Sequence, residues 1–295
     1  MPTLKLKDLP QSTLLALSPQ LRKAARYVVD HPGEIATRSQ RFVAQASDLP
    51  APTFTRLAHA IGYDSYDALR ETCRDDVLQN RTVLAERAQR LVQADGAQPD
   101  FATKHAAATL LNTESFVANL NPSAFEAAAQ TLACARRVAL IGMMSARPVV
   151  DYAMYLANMS LPGWLVLGRG GYGLAGDLAE LGATDAAIVF SIEPYATQSV
   201  TLARAVARQD VSLIALSDTA LSPVGEHAQH QFAINTQSQQ FFPSHVAAMV
   251  FFEAIVGRVI QIKGPEAQQR IAAVERQNHN LGEYWQDKPA NNKRD

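Results

Sequence analysis

The spacing of apolar residues changes character once along this chain. Between residues 18 and 79 it is helical and comes in short blocks. Leu21, Ala24, Ala25, Val28 and Val29 follow Ser18-Pro19, a cap and a first-turn proline. His31-Pro32-Gly33 closes that helix. A second short helix is expected over 40–46, where Ser47-Asp48-Leu49-Pro50 breaks it, and a third from Ala51 to a stop at Gly62. A fourth, over about 65–79, carries Tyr66, Leu69 and Val77. Residues 81–100 continue as a polar helical stretch that fades into Ala94-Asp95-Gly96-Ala97-Gln98-Pro99, which reads as the interdomain connector. Ala-rich helices are expected over 102–120 and 122–135.

Beyond residue 135 the pattern becomes strand–helix alternation. Apolar runs lie at Val138–Ile141, Trp164–Leu167, Ala186–Ser191, Ser212–Leu216 and Phe232–Ile234. Helical stretches near 146–160, 174–181, 197–208 and 244–262 separate or follow them. Alternation of this kind predicts a parallel sheet covered on both faces. The polar tail from about 283 is expected to fray.

Composition then narrows the function classes. A chain of 295 residues fits about two domains, and 47% hydrophobic residues suffice for two cores. The formal net charge is -1, so attraction to nucleic acid must come from a local face. Segment 20–60 offers one, with Arg22, Lys23, Arg26, Arg38, Arg41 and Arg56 against Asp30, Glu34 and Asp48. Cys73 and Cys134 fall in separate predicted helices without metal-ligand spacing, which fits a reducing cytosol. No apolar run reaches membrane-spanning length, so a cytoplasmic chain with no membrane partner is expected.

Two short helices joined by a tight turn are what a helix-turn-helix needs to lay its second helix in the major groove. Gln40–Ala46 would be the first and Ala51–Ile61 the recognition helix, with Val43 and Leu57 facing the core and Ala44 allowing close approach. Pro52, Thr53, Thr55, Arg56 and His59 would then face outward; Thr, Arg and His can donate to phosphates or base edges. The bland alternative is a small helical bundle with a polar face.

"LSPQLRKAARYVVDHPGEIA" and "FVAQASDLPAPTFTRLAHAIGYDSYDALR" resemble the N-terminal domain of RpiR-type regulators. Thr53, Arg56 and Ile61-Gly62-Tyr63 match the family's recognition-helix pattern, while Pro50 stands where a capping Ser is usual. Residues 135–262 resemble an SIS domain, the phosphosugar-binding fold of sugar isomerases and RpiR-type regulators. The carrying segments are "RVALIGMMSARPVVDYAMYL", "DAAIVFSIEPYATQSVTLARAVARQDVSLIALSDTALSPVGEHAQHQF" and "FFPSHVAAMVFFEAIV".

The resemblance implies a two-domain α plus α/β fold. An all-α helix-turn-helix bundle (1–80) and a helical connector (81–110) would precede an SIS domain (111–275) and a flexible tail (276–295). The SIS domain would hold a parallel five-stranded sheet with helices on both faces. The implied function is a transcriptional regulator that binds double-stranded operator DNA, responds to a sugar or sugar-phosphate effector and forms a homodimer or homotetramer. No catalytic residue, cofactor or metal is implied.

Three loops would meet the effector at the strand ends: Gly142–Arg147, Ser191–Ser199 and Phe242–His245. The contacts carried over are Gly142, Ser145, Ser191, Thr197 and Ser244. Met144 replaces the second glycine of the first loop; in the usual phosphate cradle, Glu193 adds a negative charge and Pro194 removes an N–H donor. Arg147, the cation of the first loop, could compensate.

Three decoys remain. Gly168-Arg169-Gly170-Gly171-Tyr172-Gly173 matches the dinucleotide fingerprint, with Glu193 at ribose-binding distance, and would make the chain an NAD(P)-binding enzyme. Glu193 and His245 could serve as the acid–base pair of a sugar-phosphate isomerase. His227 and His230 lack a third metal ligand and read as surface histidines.

Overall fold

A computed structural model of the chain describes residues 11–79, 83–93, 100–169 and 173–285. Its first unit is a bundle of short helices: α1 (Gln11–Ala16), α2 (Pro19–Asp30), α3 (Pro32–Thr37), α4 (Gln40–Ser47), α5 (Ala51–Ala60) and α6 (Tyr66–Gln79). Ser18 caps α2 by accepting from the Leu21 N–H, and Ser39 caps α4 by accepting from Phe42. The residues His31-Pro32-Gly33 do end α2, but Pro32 also opens α3, where its missing N–H costs nothing. Leu14, Val28, Ile35, Val43, Phe54, Leu57 and Leu69 form the bundle's core. Burial of each large apolar side chain contributes about 1.5–3 kcal/mol.

Helix α7 (Val83–Gln93) follows, then α8 (Phe101–Asn119) and α9 (Pro122–Cys134). The second unit is built on β1 (Val138–Ile141), α10 (Arg147–Ser160), β2 (Trp164–Val166), α11 (Gly173–Ala179), β3 (Ala186–Phe190), α12 (Thr197–Ala207), β4 (Ser212–Ser217), β5 (His230–Ala233), α13 (Val246–Lys263) and α14 (Pro265–Leu281). The five strands form one parallel sheet in the order β2-β1-β3-β4-β5. Every residue of β1 and β3 is buried, as expected of parallel strands covered on two faces.

Alternate residues divide the sheet between two cores. Val138, Leu140, Ile188 and Phe190 pack with α9, α10 and α13 through Leu132, Val150, Phe251 and Phe252. Ala139, Ile141, Val189 and Leu213 pack on the other face with Leu202 and Val206 of α12. Helix α13 also meets α8 and α14.

The apolar residues of α13 belong to this domain's own core, since Ala247, Ala248, Phe251, Phe252, Ile255, Val256 and Val259 are all buried. One expectation needs correction here. Residues 276–281, expected in a flexible tail, are helical and end at Gly282 in a left-handed C-cap. Helix α14 escaped notice because Ala267 is its one buried residue among those described, so no apolar stripe marks it.

Candidate functional site

Two surfaces gather the residues singled out above. The first lies where the chain reverses its direction across the sheet, between β1 and β3, the usual ligand crevice of an open parallel sheet. Gly142 leaves β1 where nothing larger fits: a Cβ there would meet Val150 Cγ1 at 2.8 Å and the Ala146 carbonyl at 3.1 Å. Met144 has φ 53° and is 79% exposed, so the position expected to hold glycine does take the left-handed conformation. Ser145 is half-buried beside it.

Arg147 opens α10, but its charge is already engaged. Its Nε donates to both Asp151 carboxylate oxygens at 3.3 Å and its Nη1 to the Leu167 carbonyl at 3.3 Å. Arg169 also reaches Asp151, at 3.4 Å. The cation of the first loop is therefore partly neutralised within the protein.

From β3, Ser191 is 3% exposed, and its carbonyl accepts from Ser217 Oγ at 2.6 Å. Thr197 is exposed at the start of α12, which has no side-chain cap. Ser244 is 4% exposed, and its Oγ accepts from the Val246 N–H at 3.3 Å, closing the turn into α13. His245 lies edge-on to Phe190 at 5.4 Å and to Phe242 at 5.9 Å, and neither of its ring nitrogens has a hydrogen-bond partner. Burial holds its pKa below the ordinary value, against the pull of the Ser244 and Ser145 backbone. These contacts tie the β1 loop, the end of β3 and the start of α13 to one place.

Three residues of this crevice were not singled out from the sequence. Asp218, just past β4, accepts from Tyr195 Oη at 2.7 Å, from Ser217 Oγ at 3.0 Å and from the Glu193 N–H at 3.4 Å. Burial raises its pKa, outweighing the Tyr195 and Ser217 hydrogen bonds, and Glu193 adds to the rise; Tyr195 is pushed well above its usual value by burial and by Asp218. An acid directly after an apolar strand, Leu216-Ser217-Asp218, was the available signal. Ser199, in the first turn of α12, is fully buried with no partner for its Oγ. Two carboxyl groups, those of Glu193 and Asp218, therefore stand on the β3–β4 side of the crevice.

The second surface is the α4–α5 pair. Asp48 makes the turn with φ 53°, and Pro50, which precedes α5, gives it no side-chain cap. Gln40 Nε2 donates to the Ala51 carbonyl at 2.9 Å and to Thr55 Oγ1 at 3.0 Å, fixing the helix starts together and leaving Thr55 half-buried. Pro52, Arg56 and His59 are exposed, as expected. Thr53 is not: it is 0% exposed, with its Oγ1 unpartnered. It stands four residues before Leu57, and side chains so spaced share a helix face, so the residue that anchors the core also turns Thr53 inward. The basic face likewise contracts, although Lys23 stays exposed. Arg38, Arg41 and Arg56 are exposed, with Arg38 over the Phe42 ring at 5.3 Å, whereas Arg22 and Arg26 are half-buried and face the second unit.

The dinucleotide fingerprint includes residues 170–172, which lie outside the described residues; α11 after it has only 7 residues. Among the described residues no cluster of three potential metal ligands occurs, and no helix is long and apolar enough to cross a membrane.

Comparison with known proteins locates the second unit. Residues 131–258 match the SIS domain family model. No curated protein matches the chain. Among solved structures, the sugar isomerase domain of an RpiR transcription factor from Sphaerobacter thermophilus is similar at 24% identity and TM-score 0.56, over 62% of this chain and 99% of that one. The Vibrio vulnificus NanR protein, solved with ManNAc-6P, is similar at 14% identity and TM-score 0.54, over 94% of this chain and 98% of that one. A candidate sugar-phosphate isomerase from Listeria monocytogenes is similar at 14% identity and TM-score 0.53, over 62% of this chain and 99% of that one. At these identities the likeness establishes a shared fold.

Proposed function

We propose that this chain is a DNA-binding transcriptional regulator of the RpiR type, whose SIS domain senses a small sugar-like metabolite. The observation that carries the reading is the pairing of two short helices joined by a tight turn, α4 and α5, the second exposing Pro52, Arg56 and His59, with an SIS fold in one chain. Likeness to NanR over 94% of this chain supports that same order of units. Arg56 reads a base edge or phosphate, while Thr55, pinned by Gln40, contributes to positioning. Because one short helix reads few base pairs, a homodimer or homotetramer engages two half-sites of duplex operator DNA.

In the crevice, Gly142, Ser145, Ser191, Thr197 and Ser244 hold the effector through hydroxyls and the uncapped start of α12. Glu193 and Asp218 oppose a dianionic group, and Arg147 is already shared with Asp151. The effector is therefore a hydroxyl-rich molecule held without dependence on a phosphate. No turnover and no cofactor are part of this reading. Selection of bound duplexes from a randomised library tests it: an enriched palindromic motif supports the proposal, and absence of any enriched sequence refutes it.

A further inference from the structure

A cavity of about 480 Å³ lies between the two units. Leu14, Arg22 and Arg26 line it from the first unit; the turn between α8 and α9 and the edge strand β5 line it from the second. Phe116, Leu120, Leu221 and Phe232 give it apolar walls. Arg26 is half-buried, and among the described residues no hydrogen bond or ion pair holds its guanidinium. Burial and the neighbouring Arg22 lower its pKa, while Glu226 and Asp30 raise it through space. A half-buried guanidinium with no hydrogen-bond partner at the edge of a cavity is free to take an anion from solution.

The surroundings limit the anion's charge. Arg22 and Arg26 both line the cavity, Asp30 and Glu226 act on Arg26 through space, and Glu226 is already paired with Arg204 at 3.1 Å; a single carboxylate suits that near-balance and matches the planar guanidinium fork with two parallel hydrogen bonds. The apolar walls call for a hydrocarbon body behind the carboxylate. We propose that this interdomain cavity binds a small organic monocarboxylate with an apolar body, at a site separate from the strand-end crevice. The proposal rests on the cavity itself and does not depend on the first unit reading DNA. Because the walls come from both units, an occupant holds one against the other.

Calorimetric titration of the full chain with phenylacetate, hexanoate and the neutral analogue phenylacetamide tests this. At least one acid should bind, phenylacetamide should bind at least tenfold more weakly, and Arg26→Met should weaken the acid tenfold or more. Asn119→Trp gives an independent reading, because Asn119 is an exposed lining residue whose amide bonds to Ser115 within its own helix. The larger side chain should fill the cavity and abolish binding even where Arg26→Met fails to fold. The double variant Ser191→Ala with Thr197→Val should leave acid binding unchanged. Silence with both acids, equal binding of acid and amide, acid binding that survives Asn119→Trp, or loss in the Ser191/Thr197 variant would overturn the proposal.

Discussion

Thr53→Val should stabilise the protein and leave DNA binding intact. Thr53 is fully buried on the core face of α5, and its Oγ1 has no hydrogen-bond partner. A buried hydroxyl left unsatisfied costs about 1–3 kcal/mol. Val has nearly the same shape, keeps the β-branch and has similar helix propensity, so neither packing nor backbone preference changes much. The expected gain is about 1 kcal/mol, equivalent to roughly 4–8 °C in Tm for a unit of 60–100 residues. Urea denaturation followed by far-UV circular dichroism, with scanning calorimetry alongside, measures it. A destabilisation of about 1 kcal/mol would mean that the hydroxyl satisfies a partner in the folded state. A loss of operator affinity in Thr53→Val would restore Thr53 to the reading face.

Asp185 is 1% exposed and accepts from Arg136 Nε and Nη2 and from the N–H groups of Arg137 and Gly182. Burial alone would raise its pKa, but these bonds hold it below the usual carboxylate value. Its contribution to stability is thus present above the unfolded value near 3.8 and lost as pH falls through the folded one. Asp185→Asn should cost about 1–3 kcal/mol at pH 7 and flatten the acid limb of a stability–pH profile; an unchanged acid limb would contradict this. In the crevice, Glu193→Ser should shift preference toward phosphorylated sugars by removing a like charge, measured as a ratio of calorimetric affinities. A sugar phosphate binding the parent protein tenfold or more tighter, about 1.4 kcal/mol, than its unphosphorylated form would defeat the charge argument. Leu110, Leu111 and Val117 on α8 are 62–64% exposed, so Leu111→Glu should shift a dimer toward monomer by light scattering. A parent chain already monomeric at micromolar concentration would contradict that expectation.

Much of the fold was legible because its signals are local. β1 begins and ends where its apolar run does, and the continuous runs of β3 and β4 marked strands buried on two faces. The site was only half legible. Gly142 could be placed from a turn pattern and Met144 from the resemblance to the SIS loop, but the Tyr195–Asp218 pair depends on the register of β3 beside β4, which no local signal carries. Thr53 is a different lesson. Its inward direction followed from Leu57 by helix geometry, and reading polarity ahead of spacing placed it on the wrong face.

The most direct test of the regulator reading is fluorescence anisotropy of the full chain on a duplex recovered by selection, titrated with sugars, sugar acids and sugar phosphates. The account predicts tight binding that falls by about 1–3 kcal/mol in Arg56→Ala. It also predicts a shift in affinity with a hydroxyl-rich effector, which the Ser191→Ala, Thr197→Val variant no longer shows. Operator affinity that is untouched by Arg56→Ala, or a sugar response that survives the loss of both hydroxyls, would contradict it.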